Sequence, residues 1–177
     1  MKKTFAIIML ILGFFIIYFF QANFFSWFTI ASVKPNLFVI LVLLVSLFAG
    51  AKVGIPFGFF VGIFLDIIIG KTMGASAVMY SLIGLIGGYF DKNFSKDSRI
   101  TIMLMIMGTT MIYEIGIYIF QIAQLSINFE LLHFLKKLLI EVMYNIILTI
   151  IFYQLIQKLG YKLEDTFKGN KILTRYF

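Results

Sequence analysis

Residues 53–90 read VGIPFGFFVGIFLDIIIGKTMGASAVMYSLIGLIGGYF. The run is apolar enough to lie in a bilayer, and its glycines Gly54, Gly58, Gly62 and Gly70 fall at four-residue spacing or a multiple of it. Asp66 occupies the missing step and is the stretch's one acidic residue. Each four-residue step advances about 40° around a helix of about 3.6 residues per turn. Small residues on such a gently wrapping line let helix backbones approach closely in lipid. A carboxylate on that line is costly there and marks a polar point of contact. A second set, Gly84, Gly87 and Gly88, lies on the next apolar run. The stretch therefore predicts two closely packed membrane helices, with one glycine seam available to a partner subunit.

The rest of the chain has the same character. Of its 177 residues, 62% are hydrophobic and 13% charged, and mean hydropathy is +1.03. A soluble domain needs far more polar surface. Cysteine is absent, which excludes disulfides and thiolate chemistry. A single histidine, His133, excludes a multi-histidine metal site. The net charge of +7 suits cytoplasmic loops beside anionic lipid. It comes without the basic, aromatic soluble surface that nucleic acid needs, and no nucleic-acid partner is expected.

A crossing needs roughly 20 apolar residues, and six candidates appear. The first runs from Thr4 to about Phe20 behind Lys2 and Lys3, as an uncleaved signal-anchor. A linker, Gln21 to Lys34, carries Phe24, Phe25, Trp27 and Phe28, rings that favour the membrane interface. Pro35 opens the second span at a first helical position, and this short span ends near Ala49. The third covers Val53–Ile69 and the fourth Met73–Phe90. After the polar break Asp91–Arg99, the fifth covers Ile100 to about Phe120. Leu131, Leu132, Phe134 and Leu135, in the less apolar stretch Gln121–Lys137, suggest a helix lying in the interface. The sixth covers Leu138 to about Ile156. Residues 1–157 thus form a six-helix transmembrane domain, and residues 158–177 a basic cytoplasmic tail. The stretch from Gln157 onward is expected to be poorly ordered.

Six spans place both termini on one side. Lys2, Lys3, Lys52, Lys92, Lys96, Arg99, Lys158, Lys162, Lys168, Lys171 and Arg175 share that side, against Lys34, Lys71, Lys136 and Lys137 on the other. The positive-inside rule makes both termini cytoplasmic. A re-entrant hairpin of spans two and three would move the central loops and leave the C-terminus inside.

Three carboxylates lie in or near spans: Asp66, Glu114 and Glu141. Glu114, Tyr118 and Gln121 share a helix face, as do Glu141 and Asn145. Such carboxylates either serve a function or bond a neighbouring polar group, and Lys71 is the expected partner of Asp66. Enzyme readings fail on specifics. An intramembrane aspartyl protease needs two facing aspartates, and only Asp66 lies in a span. A serine protease needs a histidine base in a span, and His133 lies in a linker. Metal-assisted phosphotransfer needs clustered aspartates. No catalytic residue, cofactor or metal is expected.

Several pieces, in order, resemble the bacterial MreD family of rod shape-determining proteins. Lys34-Pro35-Asn36-Leu37 is similar to the family's Arg-Pro-Asp-Leu opening of the second span, with Asn36 in place of the usual Asp. Residues Gly58 to Asp66 are similar to its Gly-x-x-x-Gly-x-x-x-Asp signature. Gly70, Gly74, Tyr80, Gly84 and Gly88 follow at familiar spacing, then Tyr113-Glu114 and Tyr144-Asn145. The resemblance implies a non-catalytic plasma-membrane scaffold of cell-wall elongation, working with MreC, the actin-like MreB filament, the RodA glycosyltransferase and a class B penicillin-binding protein. It implies helix-packing or partner-contact roles for Pro35, Asn36, Gly58, Gly62, Asp66, Gly70, Gly74, Tyr80, Gly84, Gly88, Glu114 and Asn145. The loop Asp91–Arg99 and the basic tail would touch lipid headgroups or cytoplasmic partners. The implied fold is similar to the substrate-binding S components of vitamin transporters. Two alternatives follow. One is a true S component, opposed by Leu10 four residues after Ala6, where a docking Ala-x-x-x-Ala would stand. The other is a small proton-coupled carrier built on Asp66, Glu114 and Glu141.

Overall fold

A computed structural model describes residues 2–69, 74–125 and 130–169. Among the described residues, six long helices run alternately between two ends of a bundle. They are α1 (Lys2–Phe19), α2 (Leu37–Ala49), α3 (Ala51–Ile69), α4 (Ala75–Asn93), α5 (Arg99–Leu125) and α6 (Leu131–Lys168). By length and composition, α1 with its continuation to Trp27, α3, α5 and α6 can each cross a membrane. The protein is an all-helical membrane protein.

α2 is the shortest and most enclosed. Its 13 residues rise about 20 Å, short of a hydrocarbon core of roughly 30 Å. Val39, Val42, Leu43, Leu47 and Phe48 are fully buried, because α2 touches all five other helices. A helix apolar on every face suits that place. Asn36, not Pro35, starts it: the Asn36 side chain accepts the Val39 N–H at 3.2 Å. Pro35 therefore sits one residue outside the cap rather than at the first helical position, since an Asn side chain supplies the cap acceptor that proline lacks. Gly50 alone joins α2 to α3. Its φ of +88° is a conformation glycine adopts without a side-chain penalty.

The glycine seam closes within the chain. A Cβ on Gly58 would lie 2.3 Å from the Tyr80 carbonyl oxygen, one on Gly62 2.3 Å from Ala77 Cα, and one on Gly84 2.5 Å from the Gly54 carbonyl oxygen. One on Gly88 would meet Ala51, and one on Gly54 or Gly87 would meet Ser46 of α2. The buried Ser46 hydroxyl donates to the Gly84 carbonyl across the same contact. The expectation that this seam holds a partner helix is corrected: α2, α3 and α4 fill it with one another. Gly74 does not pack there. No described residue lies within 4 Å of its Cβ position, and its φ of +86° turns the chain into α4. Gly70 and Lys71 lie outside the described residues.

α1 and α6 run beyond the spans expected for them. The linker after α1 stays helical through a π-turn, Phe20–Phe24, and a further turn to Trp27. Among the described residues no separate interfacial helix precedes the last span. Leu131–Lys137 are the opening turns of α6, whose Lys137 turns inward to a carboxylate. The stretch from Gln157 is helical to Lys168 instead of poorly ordered. Ion pairs hold it there. Lys96 Nζ lies 2.5 Å from Asp91 and 2.7 Å from Glu164, and Lys168 Nζ lies 2.6 Å from Asp91. Lys96 is fully buried, so it faces this clasp and not lipid headgroups.

Candidate functional site

A cavity of about 450 Å³ opens at the end of the bundle opposite the clasp. Its walls are the strap between α1 and α2, the start of α2, the end of α3, the start of α4, and the neighbouring turns of α5 and α6. Each helix delivers a polar group there at one end of its apolar run.

The strap is pinned first. Gln21 uses both ends of its amide: Nε2 donates to the Pro35 carbonyl at 2.6 Å, and Oε1 accepts the Leu37 N–H at 3.1 Å. Tyr144 donates to the Phe28 carbonyl at 2.8 Å. Ala31 and Ser32 turn the strap with φ of 50° and 65°, an uncommon conformation for residues with a Cβ.

Asn36 and Asn145 join the strap to the core. Asn145, fully buried on α6, accepts the Asn36 N–H at 2.8 Å and donates to Thr110 of α5 at 3.1 Å. Tyr80 of α4 donates to Asn36 Oδ1 at 3.1 Å, and its ring packs on Tyr113 of α5. Asp66 accepts the N–H groups of Ser76 and Ala77, each at 3.2 Å. A carboxylate is favoured there by the unpaired N–H groups and positive dipole end of α4. Two backbone N–H groups thus bond Asp66, and its expected partner Lys71 lies outside the described residues.

The floor holds the deeper charges. Lys137 Nζ lies 2.6 Å from Glu114 and 4.0 Å from Glu141. Both carboxylates are buried, at 4% and 3% exposure. Glu141 Oε1 has no hydrogen-bond partner among the described residues. His133, Lys137, Glu141 and Asn145 form an i, i+4 row on α6, from an exposed mouth to a closed floor. Among the described residues no group of three or more His, Cys, Asp and Glu side chains is placed to hold a metal ion.

Of the expected residues, the structure gathers Pro35, Asn36, Asp66, Tyr80 and Glu114 at the cavity wall, with Asn145 just beneath. It puts Gly58, Gly62, Gly84 and Gly88 in the seam away from it. Gln21, Thr110 and Lys137 were not singled out from the sequence. Lys137 stands four residues before Glu141, a spacing that signals an ion pair once both lie on one helix.

A family model described as rod shape-determining protein MreD matches residues 1–159. The chain belongs to this family. Membership carries a role in rod shape determination. Comparison with curated proteins and with solved structures gave no match.

Proposed function

We propose that this MreD-family chain is a non-catalytic scaffold of cell-wall elongation in the plasma membrane. It holds the transmembrane helix of MreC, and through it serves RodA, a class B penicillin-binding protein and MreB. Both termini are cytoplasmic, and the cavity opens on the opposite side. The family match carries the reading, and the exposed face of α1 supplies the place. Phe5, Ile8, Leu12, Phe15 and Phe19 recur at three- and four-residue spacing and are all exposed, from 50% to 65%. Such a stripe suits a second helix packed alongside in lipid. Ala6, Leu10 and Phe14 face inward instead.

The absence of native cysteine makes the test direct. Single substitutions Ile8→Cys and Phe15→Cys, paired with cysteines in the MreC helix, should cross-link in cells. Leu10→Cys and Phe14→Cys should not. Cross-links only from α5 or α6 would sink the placement. Failure of MreC to co-purify at all would sink the scaffold reading. Reporter fusions at Phe177 should read cytoplasmic, and at Glu130 extracytoplasmic.

A further inference from the structure

We infer that the cavity binds a small zwitterion, its ammonium group on Glu141 and its anionic group at the mouth lined by Lys34, His133 and Lys136. The inference stands apart from the scaffold reading. It begins with an imbalance on the floor. Glu114 and Glu141 share one cation, Lys137, which is at contact distance from Glu114 and only 4.0 Å from Glu141. Glu141 Oε1 is left without a donor among the described residues, in a side chain 4% exposed. A buried carboxylate oxygen without a donor is costly. An N–H group entering the cavity supplies that donor in the charge-assisted form that is strongest.

The mouth has the opposite character. Lys136 and His133 are exposed on the first turns of α6, and among the described residues Lys136 makes no ion pair. Among the described residues Lys34 donates only to the neutral Ser26 hydroxyl, at 2.8 Å. Lys136 and Glu141 are five residues apart, about 7.5 Å along the helix axis. A ligand with its ammonium and anionic groups a short chain apart therefore meets an acid below and cations above. The volume, about 450 Å³, falls within the roughly 300–1,000 Å³ of small-molecule sites and far exceeds one ion.

An ethanolamine phosphate group has this chemistry, and two sources offer it: a phosphatidylethanolamine headgroup at the membrane surface, or a soluble phosphoethanolamine. The test uses the purified full chain and reads thermal unfolding. In detergent, phosphoethanolamine should raise the melting temperature more than ethanolamine or inorganic phosphate alone. In nanodiscs, phosphatidylethanolamine should stabilise more than phosphatidylcholine, whose trimethylammonium has no N–H to donate. A response in nanodiscs alone assigns the lipid source, and a response in detergent alone assigns the soluble one. Glu141→Gln and Lys136→Ala should each weaken the response about tenfold in apparent affinity, the scale of one charge-assisted hydrogen bond. Lys136→Ala is an exposed change that leaves the fold intact, so it decides the matter should Glu141→Gln fold poorly. No response in either setting, an equal response to choline headgroups, or a response retained in Lys136→Ala overturns the inference.

Discussion

Adding one methyl group to the seam tests the packing most sharply, and Gly62→Ala is the place. The new Cβ would lie 2.3 Å from Ala77 Cα, 2.4 Å from Ala77 N and 2.5 Å from the Ser76 carbonyl carbon. All three are backbone atoms, so no rotamer change relieves them. Reaching van der Waals contact requires α4 to move by about 1 Å relative to α3, and overpacking of this kind costs about 1–3 kcal/mol. The N–H groups of these same two residues, Ser76 and Ala77, donate to Asp66 at 3.2 Å. That shift carries both bonds past useful length, and each bond to a charged group is worth about 1.5–3 kcal/mol. The combined loss is about 4–9 kcal/mol. Gly108→Ala is the control, because no described residue lies within 4 Å of a Cβ there. It should change stability by no more than about 1 kcal/mol, the scale of helix propensity. Reversible unfolding in mixed micelles, followed by circular dichroism, reads both. Equal stability of Gly62→Ala and Gly108→Ala would refute the packing argument.

The clasp and the cavity supply the other tests. Lys96→Met removes a buried ammonium from between Asp91 and Glu164. It should cost about 3 kcal/mol in unfolding free energy, since Lys168 still answers both acids. Lys168→Met, more exposed, should cost clearly less in the same assay. Asn36→Ala removes the α2 cap and the acceptor of Tyr80. Its expected cost is about 1–2 kcal/mol, with faster amide exchange at the start of α2. Glu114→Gln keeps a hydrogen-bond acceptor for Lys137, whereas Glu114→Leu removes the near acceptor and leaves that ammonium to Glu141, 4.0 Å away. A scaffold should capture MreC nearly as well with Gln and worse with Leu. Proton-coupled solute uptake into liposomes that Glu114→Gln abolishes would establish the carrier instead.

The apolar runs were legible because each helix buries its backbone bonds within itself and needs a long apolar exterior in lipid. Helix ends were harder to read. Lys136 and Lys137 look like an interfacial break, yet Lys137 turns into the cavity and α6 begins before it. Glu164 and Lys168 look like a solvated tail, yet their counter-charges lie far back in the chain at Asp91 and Lys96. Pairing across that distance leaves no local pattern. The glycine series gave the contact face of α3 correctly, but spacing carries no information about which helix fills it. The site was legible in its members, Asn36, Asp66, Tyr80, Glu114 and Asn145, and not in its wiring. Gln21 illustrates the difficulty: an isolated glutamine in an aromatic linker gives no sign that its amide clamps the strap.

The same contacts limit where a partner fits. In the seam even a single methyl group meets backbone at Gly58, Gly62 and Gly84, so a second helix has no room there. In the clasp the buried Lys96 already has two acids. α1 is held differently. Rings join it to the body, Phe14 to Phe38 and Phe64, and Tyr18 to Phe64, while its outer face stays bare. Its C-terminal extension carries Gln21, which clamps Pro35 and Leu37, and Asn36 between them bonds Asn145 and Tyr80. The face that receives MreC in our proposal is thus continuous, through one glutamine, with the strap over the cavity. Gln21→Ala cuts that connection without touching the exposed stripe, so MreC cross-linking at Ile8 should persist while Pro35 and Leu37 lose their bonds to residue 21.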